Sequence, residues 1–272
     1  MNNSVGGAAG GGGAGGGAGV NLHLEVERAL VGGFRTTDRE FLQLMRDELA
    51  ADPVPPVEGN NVAARDAALV REKNRAYSSS TCVAVLLVGT TLGVAHLGDS
   101  RACIGRPSMD RRGRFVDPDA FFLTNDHKPD SPGEKARIMA AGGTVVPLHG
   151  GRPYLRGGDF AELQQRGRRP MQLNYSRAFG GLNLKPYGLS SNPDFRAQEI
   201  DPAGCTVMVL ASDGLWDIFQ NAQDACCLAL EEFVAGRDPS TALVNFAIEG
   251  AARNQMAGDN VTCTVLIFKA EE

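Results

Sequence analysis

The sequence predicts an α+β fold built on antiparallel sheets, not a doubly wound parallel one. Two observations carry this. The Val-rich runs Cys82–Val88 and Leu92–Leu97 are split only by Gly89-Thr90-Thr91, a span that admits a hairpin and no crossover helix. Farther on, helical stretches near 222–235 and 239–254 lie together between two buried-type strands, Val207–Ala211 and Val261–Phe268. Helices and strands therefore come in blocks instead of alternating.

Taken in order, residues 5–20 are almost wholly Gly and Ala, and 1–20 reads as a flexible tail. It has no basic n-region and no apolar h-region, so it is not a signal peptide, and Asn2 excludes N-myristoylation. A phosphate-cradling loop would need a preceding strand and a following Lys-Ser/Thr, and neither is present. Residues 22–32 are helical in pattern, with Leu22, Val26, Ala29 and Leu30 on one face. Thr37 with Glu40 reads as a capping box opening a second helix, which carries Phe41, Leu44, Met45 and Leu49 and ends at Pro53, Pro55 and Pro56. A loop over 52–62 and a polar helical stretch to about Arg75 follow.

After the first hairpin, residues 103–122 add another, with an Arg-rich turn near 107–114. Ser131-Pro132-Gly133-Glu134 is a helix start, with Ser as N-cap, Pro at N1 and Glu at N3; Gly142-Gly143 ends that helix through a left-handed glycine. Residues 149–170, rich in Gly and Arg, read as a long loop. Asp238-Pro239 opens the last helix.

Composition excludes several function classes. Among 272 residues, 27 basic against 32 acidic side chains leave a net charge of −5, which argues against a polyanion-binding surface and so against nucleic acid as a partner. Arg166, Arg168 and Arg169 read as a solvated loop patch. No window approaches the roughly 20 apolar residues of a membrane span. The six cysteines have no paired spacing, and Cys82, Cys205 and Cys263 fall in or beside strand-like runs as buried thiols, which fits a reducing compartment, cytoplasmic or nuclear.

The chemistry lies in where carboxylates fall. Asp99 follows Leu92–Leu97 directly; Asp213 and Asp217 follow Val207–Ala211; Asp259 precedes the last strand. Each alone reads as a turn or cap residue. Four at strand ends, three of them beside a glycine, are also the oxygen donors that a hard cation such as Mg²⁺ or Mn²⁺ takes.

Six segments in order resemble the metal-dependent protein phosphatases of the type 2C family. They are Gly98-Asp99-Ser100-Arg101-Ala102, Leu123-Thr124-Asn125-Asp126-His127-Lys128-Pro129, Glu134 to Ile138 with Ala141-Gly142-Gly143, Ser176-Arg177-Ala178-Phe179-Gly180, Ala211-Ser212-Asp213-Gly214-Leu215-Trp216-Asp217 and Gly258-Asp259-Asn260-Val261-Thr262. The resemblance implies a sandwich of two antiparallel sheets flanked by helices, a phosphatase-like domain over 21–272, phosphoprotein substrates and a monomer. It implies hydrolysis of phosphoserine and phosphothreonine with Mg²⁺ or Mn²⁺. By motif match Asp213 and Asp259 hold the main metal, Asp99 and Asp217 join Asp213 at a weaker one, Asn260 orients Asp259, and Gly214 is a further residue around the ligands. In the matching motif His127 is a structural loop residue; Trp216 reads as core, and Arg101 and Arg177 as structural arginines held by buried hydrogen bonds.

The family's opening strands, with their metal-bridging Asp-Gly-His-Gly-Gly element and phosphate-binding Arg, have no counterpart here, and Gly181 stands where the family has Asp. The expectation is a domain whose N-terminal strands are missing or replaced, with the second catalytic metal site absent and the first weak. Two readings follow: a protein serine/threonine phosphatase, or a catalytically inactive phosphatase fold that binds phosphoproteins or kinases.

Overall fold

The computed structural model describes residues 21–51, 77–109, 111, 115–148, 150–167, 170–256 and 258–269. The expected Gly/Ala tail, the 52–62 loop, the polar helix ending near Arg75, and Arg168 and Arg169 lie outside them.

In chain order the elements are α1 (Leu22–Ala51), β1 (Ser79–Ser80), β2 (Cys82–Val88), β3 (Thr91–Leu97), β4 (Arg101–Met109) and β5 (Phe115–Phe122). Then come α2 (Pro132–Ala140), β6 (Thr144–Leu148), β7 (Arg152–Arg156), α3 (Phe160–Gln165), β8 (Gln172–Leu173), β9 (Phe179–Gly180) and a 3₁₀ turn, Lys185–Tyr187. Last are β10 (Asp194–Glu199), β11 (Thr206–Ala211), α4 (Asp213–Trp216), α5 (Ala222–Val234), α6 (Pro239–Arg253) and β12 (Cys263–Phe268).

Two antiparallel sheets, β10-β3-β2 and β12-β11-β4-β5, form the sandwich. Strand alternation sorts side chains between layers. Leu92 and Val94 of β3, Ala102 and Ile104 of β4, and Met208 of β11 meet between the sheets. Ala95 and Leu97 turn the other way, onto Phe34 of α1. On the opposite outer face, Cys103, Val207 and Val209 pack against Ala225, Cys226, Leu243 and Ala247 of α5 and α6. Each fully buried aliphatic chain contributes about 1.5–3 kcal/mol. The α+β sandwich flanked by helices is what the sequence predicts.

Three stretches of the chain differ from expectation. α1 is one helix of 30 residues, without a break at Thr37. Its buried positions, Val26, Phe34, Asp38 and Met45, with Leu30 and Phe41 between them, continue one stripe at helical spacing, and packing of that stripe overrides the local capping signal. Asp38 is buried within the stripe, accepting from the Gly180 amide at 2.9 Å and pairing with Lys185 at 3.0 Å. The segment 149–170 holds β7 and α3, because buried Leu155 pairs into the small sheet β6-β7-β8 between two arginines that hide the alternation. β10 carries no strand signal in the sequence because it is a polar edge strand, only Phe195 packing on α1's cluster.

Gly93 explains how closely α1 approaches: a Cβ there would lie 2.2 Å from Val26 Cγ1. The fully buried thiols are Cys103 and Cys226, Sγ to Sγ 3.7 Å, whereas Cys82, Cys205 and Cys263 are half-buried. Gly142 does take the left-handed conformation, at φ +76°. Among the described residues no helix is long and apolar enough to cross a membrane.

Candidate functional site

β3 ends in one sheet and β4 begins in the other, so Gly98-Asp99-Ser100 is the crossover between them. Arg101 opens β4 opposite Ala211, and Ala211 is opposite Cys263. This register brings the crossover, the end of β11 and the start of β12 to one end of the sandwich. Asp99, Asp213 and Asp217 there line a cleft of about 160 Å³, with Arg101, Asp126, Lys128, Arg152, Asn174 and Trp216.

Asp99 is buried, Asp213 half-buried, and Asp217 and Asp259 are exposed. Burial raises the Asp213 carboxyl above its ordinary range, and the charges of Asp99, Asp259 and Asp217 raise it further, against the lowering effect of Lys128. Asp259 thus acts on Asp213 although it does not line the cleft wall. Three of the four predicted ligands, Asp99, Asp213 and Asp217, line the cleft together, and Asp259 lies outside its lining. Their chemistry fits a hard cation. They are not drawn tightly together: among the described residues, the set of three His, Cys, Asp or Glu side chains whose ligand atoms all lie within 4.8 Å is His96, His127 and Asp194.

That set has the right composition for a metal, but its geometry serves a clasp. The two rings stack with centroids 4.7 Å apart and planes 14° from parallel, so their in-plane lone pairs run side by side and do not converge. His127 Nδ1 accepts the Gly98 N–H at 3.1 Å, the His127 amide donates to the Gly98 carbonyl at 2.9 Å, and His96 Nε2 lies 2.9 Å from the Asn125 carbonyl. The stacked histidines thereby fasten the 123–130 loop to the crossover that carries Asp99. Burial, then the charge of Arg177 and the ring of His96, bring His127 down to about 4 against the opposing pull of Asp194.

Two arginines anchor the surroundings, as expected of structural arginines. Arg101 grips Asp126 with Nε at 2.6 Å and a second nitrogen at 2.8 Å. Arg177 joins Glu134 at 2.7 Å and Asp194 at 2.7 Å. Glu134 is a hub and not a capping residue: Ser131 makes no side-chain cap, and the Glu134 carboxylate accepts from Arg137, Arg177 and Ser176 Oγ. Burial pushes its carboxyl up, yet those hydrogen bonds outweigh burial and hold it well below the usual carboxylate range.

Gly214 and Asn260 join the two C-terminal motifs. A Cβ on Gly214 would lie 2.5 Å from the Asn260 carbonyl oxygen, so only glycine lets the turn after β11 seat against the loop before β12. Ser212 Oγ accepts the Thr262 amide at 3.0 Å, and the Ser212 amide donates to the Thr262 carbonyl at 3.0 Å. The Asn260 amide donates to Asp259 Oδ1 at 2.7 Å. Asn260 therefore meets Asp259 through its backbone. Trp216 is buried and donates to the Ala211 carbonyl at 2.9 Å.

Three charged residues of the cleft received no role from the sequence. Lys128 Nζ sits 2.5 Å from Asp99 Oδ2, Asp126 faces Arg101, and Arg152 lies 3.6 Å from Asp217. Lys128 and Asp126 stand inside a recognised motif, which was the signal available. Arg152 was hidden in a segment read as loop.

Residues 35–256 match the family model Protein phosphatase 2C. The chain is 34% identical over 205 residues to "Probable protein phosphatase 2C 69" of Arabidopsis thaliana, covering 75% of this chain and 48% of that protein. It is 30% identical over 252 residues to "Probable protein phosphatase 2C 67" of Oryza sativa subsp. japonica, covering 89% of this chain and 55% of that one. The chain thus spans about half the length of these curated relatives. It is similar in structure to the serine-threonine phosphatase 2C from Toxoplasma gondii, with a TM-score of 0.66 and 35% identity over 86% of this chain and 81% of the other. With six ordered motifs, the sandwich and the carboxylate cleft in agreement, this chain belongs to the protein phosphatase 2C family.

Proposed function

We propose that this chain is the metal-holding portion of a protein serine/threonine phosphatase that hydrolyses phosphoserine and phosphothreonine on proteins in the cytoplasm or nucleus. The observation that carries this reading is the cleft where Asp99, Asp213 and Asp217 meet within electrostatic reach of Asp259. Asp213 and Asp259 would hold one Mg²⁺ or Mn²⁺, and Asp213 with Asp99 and Asp217 a second, weaker one. A bound ion of this kind supplies Lewis acidity and a more acidic water for in-line attack on a phosphate ester. The chain's own residues set the stage. Gly214 and Ser212 hold Asp213 beside the Asp259 loop, the histidine clasp holds Asp99, and Arg101 fixes Asp126.

A second reading, an inactive phosphatase fold that binds phosphoproteins, draws support from the same cleft. Lys128 and Arg152 already stand against Asp99 and Asp217, so the chain's own cations offset part of the negative charge. The test is Mn²⁺ binding by calorimetry on the chain, with phosphate release from a phosphothreonine peptide by the chain preceded by a family-like N-terminal strand segment. The phosphatase reading expects binding that Asp213→Asn abolishes, and Mn²⁺-dependent turnover in the extended form. Binding without turnover there selects the second reading, and no binding overturns the metal site.

A further inference from the structure

The cleft contains a cation of the chain's own. Lys128 Nζ lies 2.5 Å from Asp99 Oδ2 and 3.9 Å from Asp126 Oδ2. The other two cations of the cleft are placed differently. Arg101 is committed to Asp126 through two hydrogen bonds, and Arg152 stands 3.6 Å from an exposed Asp217. Lys128 alone contacts the one buried carboxylate of the four, Asp99, whose side chain is 4% exposed.

A carboxylate oxygen at ammonium distance and a divalent ion at about 2.1 Å from the same carboxylate bring two cations within a few ångströms of each other, where their repulsion is large. The lysine stem is flexible, and its charge is a point that can move. Asp126 is already within reach as a second partner. We propose that Lys128 is a built-in competitor for the cation position shared by Asp99, Asp213 and Asp217. Its ammonium balances Asp99 when no divalent ion is bound, and it withdraws toward Asp126 when one enters. The inference rests on the metal reading above and deepens it. This position binds divalent ions weakly because each ion first displaces a resident charge, while the buried Asp99 never lacks a counter-ion.

The test measures Mn²⁺ affinity of the full chain by calorimetry. Lys128→Gln is expected to tighten binding by about tenfold, Lys128→Arg to leave it near wild type, and Asp99→Asn combined with Lys128→Gln to cancel the gain. A folded Lys128→Gln variant with unchanged or weaker affinity overturns the proposal. Because Lys128→Gln leaves Asp99 without its counter-ion and can fail to fold, the wild-type chain supplies a second readout: acetylation of Lys128 by an acetylating ester, quantified by mass spectrometry with and without Mg²⁺. Competition predicts faster modification with Mg²⁺, and an unchanged or slower rate overturns it. If neither wild type nor Lys128→Gln binds Mn²⁺, the metal reading falls and takes this inference with it. If both bind equally, only the competition fails.

Discussion

Gly214 and Asn260 lie 46 positions apart in the chain, yet a single added carbon on the first would stand 2.5 Å from the carbonyl oxygen of the second. This contact seats the turn carrying Asp213 against the loop carrying Asp259. Gly214→Ala is therefore expected to push the two apart, costing about 1–3 kcal/mol in urea unfolding and weakening Mn²⁺ binding severalfold. Retention of both stability and affinity would show that the loop yields freely.

Gly93 sets the distance between α1 and the sheet in the same manner. Gly93→Ala should destabilise the chain by about 1–3 kcal/mol, because Val26 cannot retreat without tilting a long helix. Val26→Ala alone costs stability by loss of burial, but in the double variant part of the cost should be recovered. A double-mutant cycle in urea measures that coupling, and strict additivity would contradict the contact.

Glu134 receives two guanidinium groups and a hydroxyl. Glu134→Gln keeps the shape and removes the charge, leaving Arg137 and Arg177 short of a partner. The expected loss is about 3 kcal/mol, since breaking a largely buried ion pair costs more than the pair contributes net. Thermal unfolding against wild type checks this; a loss below about 0.5 kcal/mol, the range of a surface substitution, would contradict the hub.

His127 links stability to pH. Unfolded, its imidazole titrates near the usual value of about 6.5, whereas in the fold it is held down to about 4. Between those values the unfolded chain binds a proton that the folded chain refuses, so stability must fall as pH drops from about 6.5 toward 4. Protonation of Nδ1 would also remove the acceptor that the Gly98 amide uses. Urea midpoints at pH 7.5 and pH 5 should therefore differ more for wild type than for His127→Gln, and equal differences would rule His127 out as the source.

By itself the sequence determined the layers, the hairpins, the helix pair and which motifs carry carboxylates. Those signals are local: short apolar runs such as Leu92–Leu97, a Pro after Asp238, a glycine after Ala141. The continuity of α1 through Thr37 was not local, because a stripe packed on β3 outweighed a capping signal worth only about 1 kcal/mol. β7 and β10 are not legible in the sequence for a related reason, being a short strand of a satellite sheet and a polar edge strand whose polar residues obscure the alternation. Within the cleft, Asp99, Asp213 and Asp217 were legible as a cluster of carboxylates, since each stands beside a strand end in a recognisable motif. Only tertiary structure decided that Lys128 rests on Asp99, that Arg152 reaches Asp217, and that two histidines clasp a loop instead of gathering a metal. Pairings across such sequence distances depend on the register of β4, β11 and β12 and on the crossover between sheets, and no single segment of the chain encodes them.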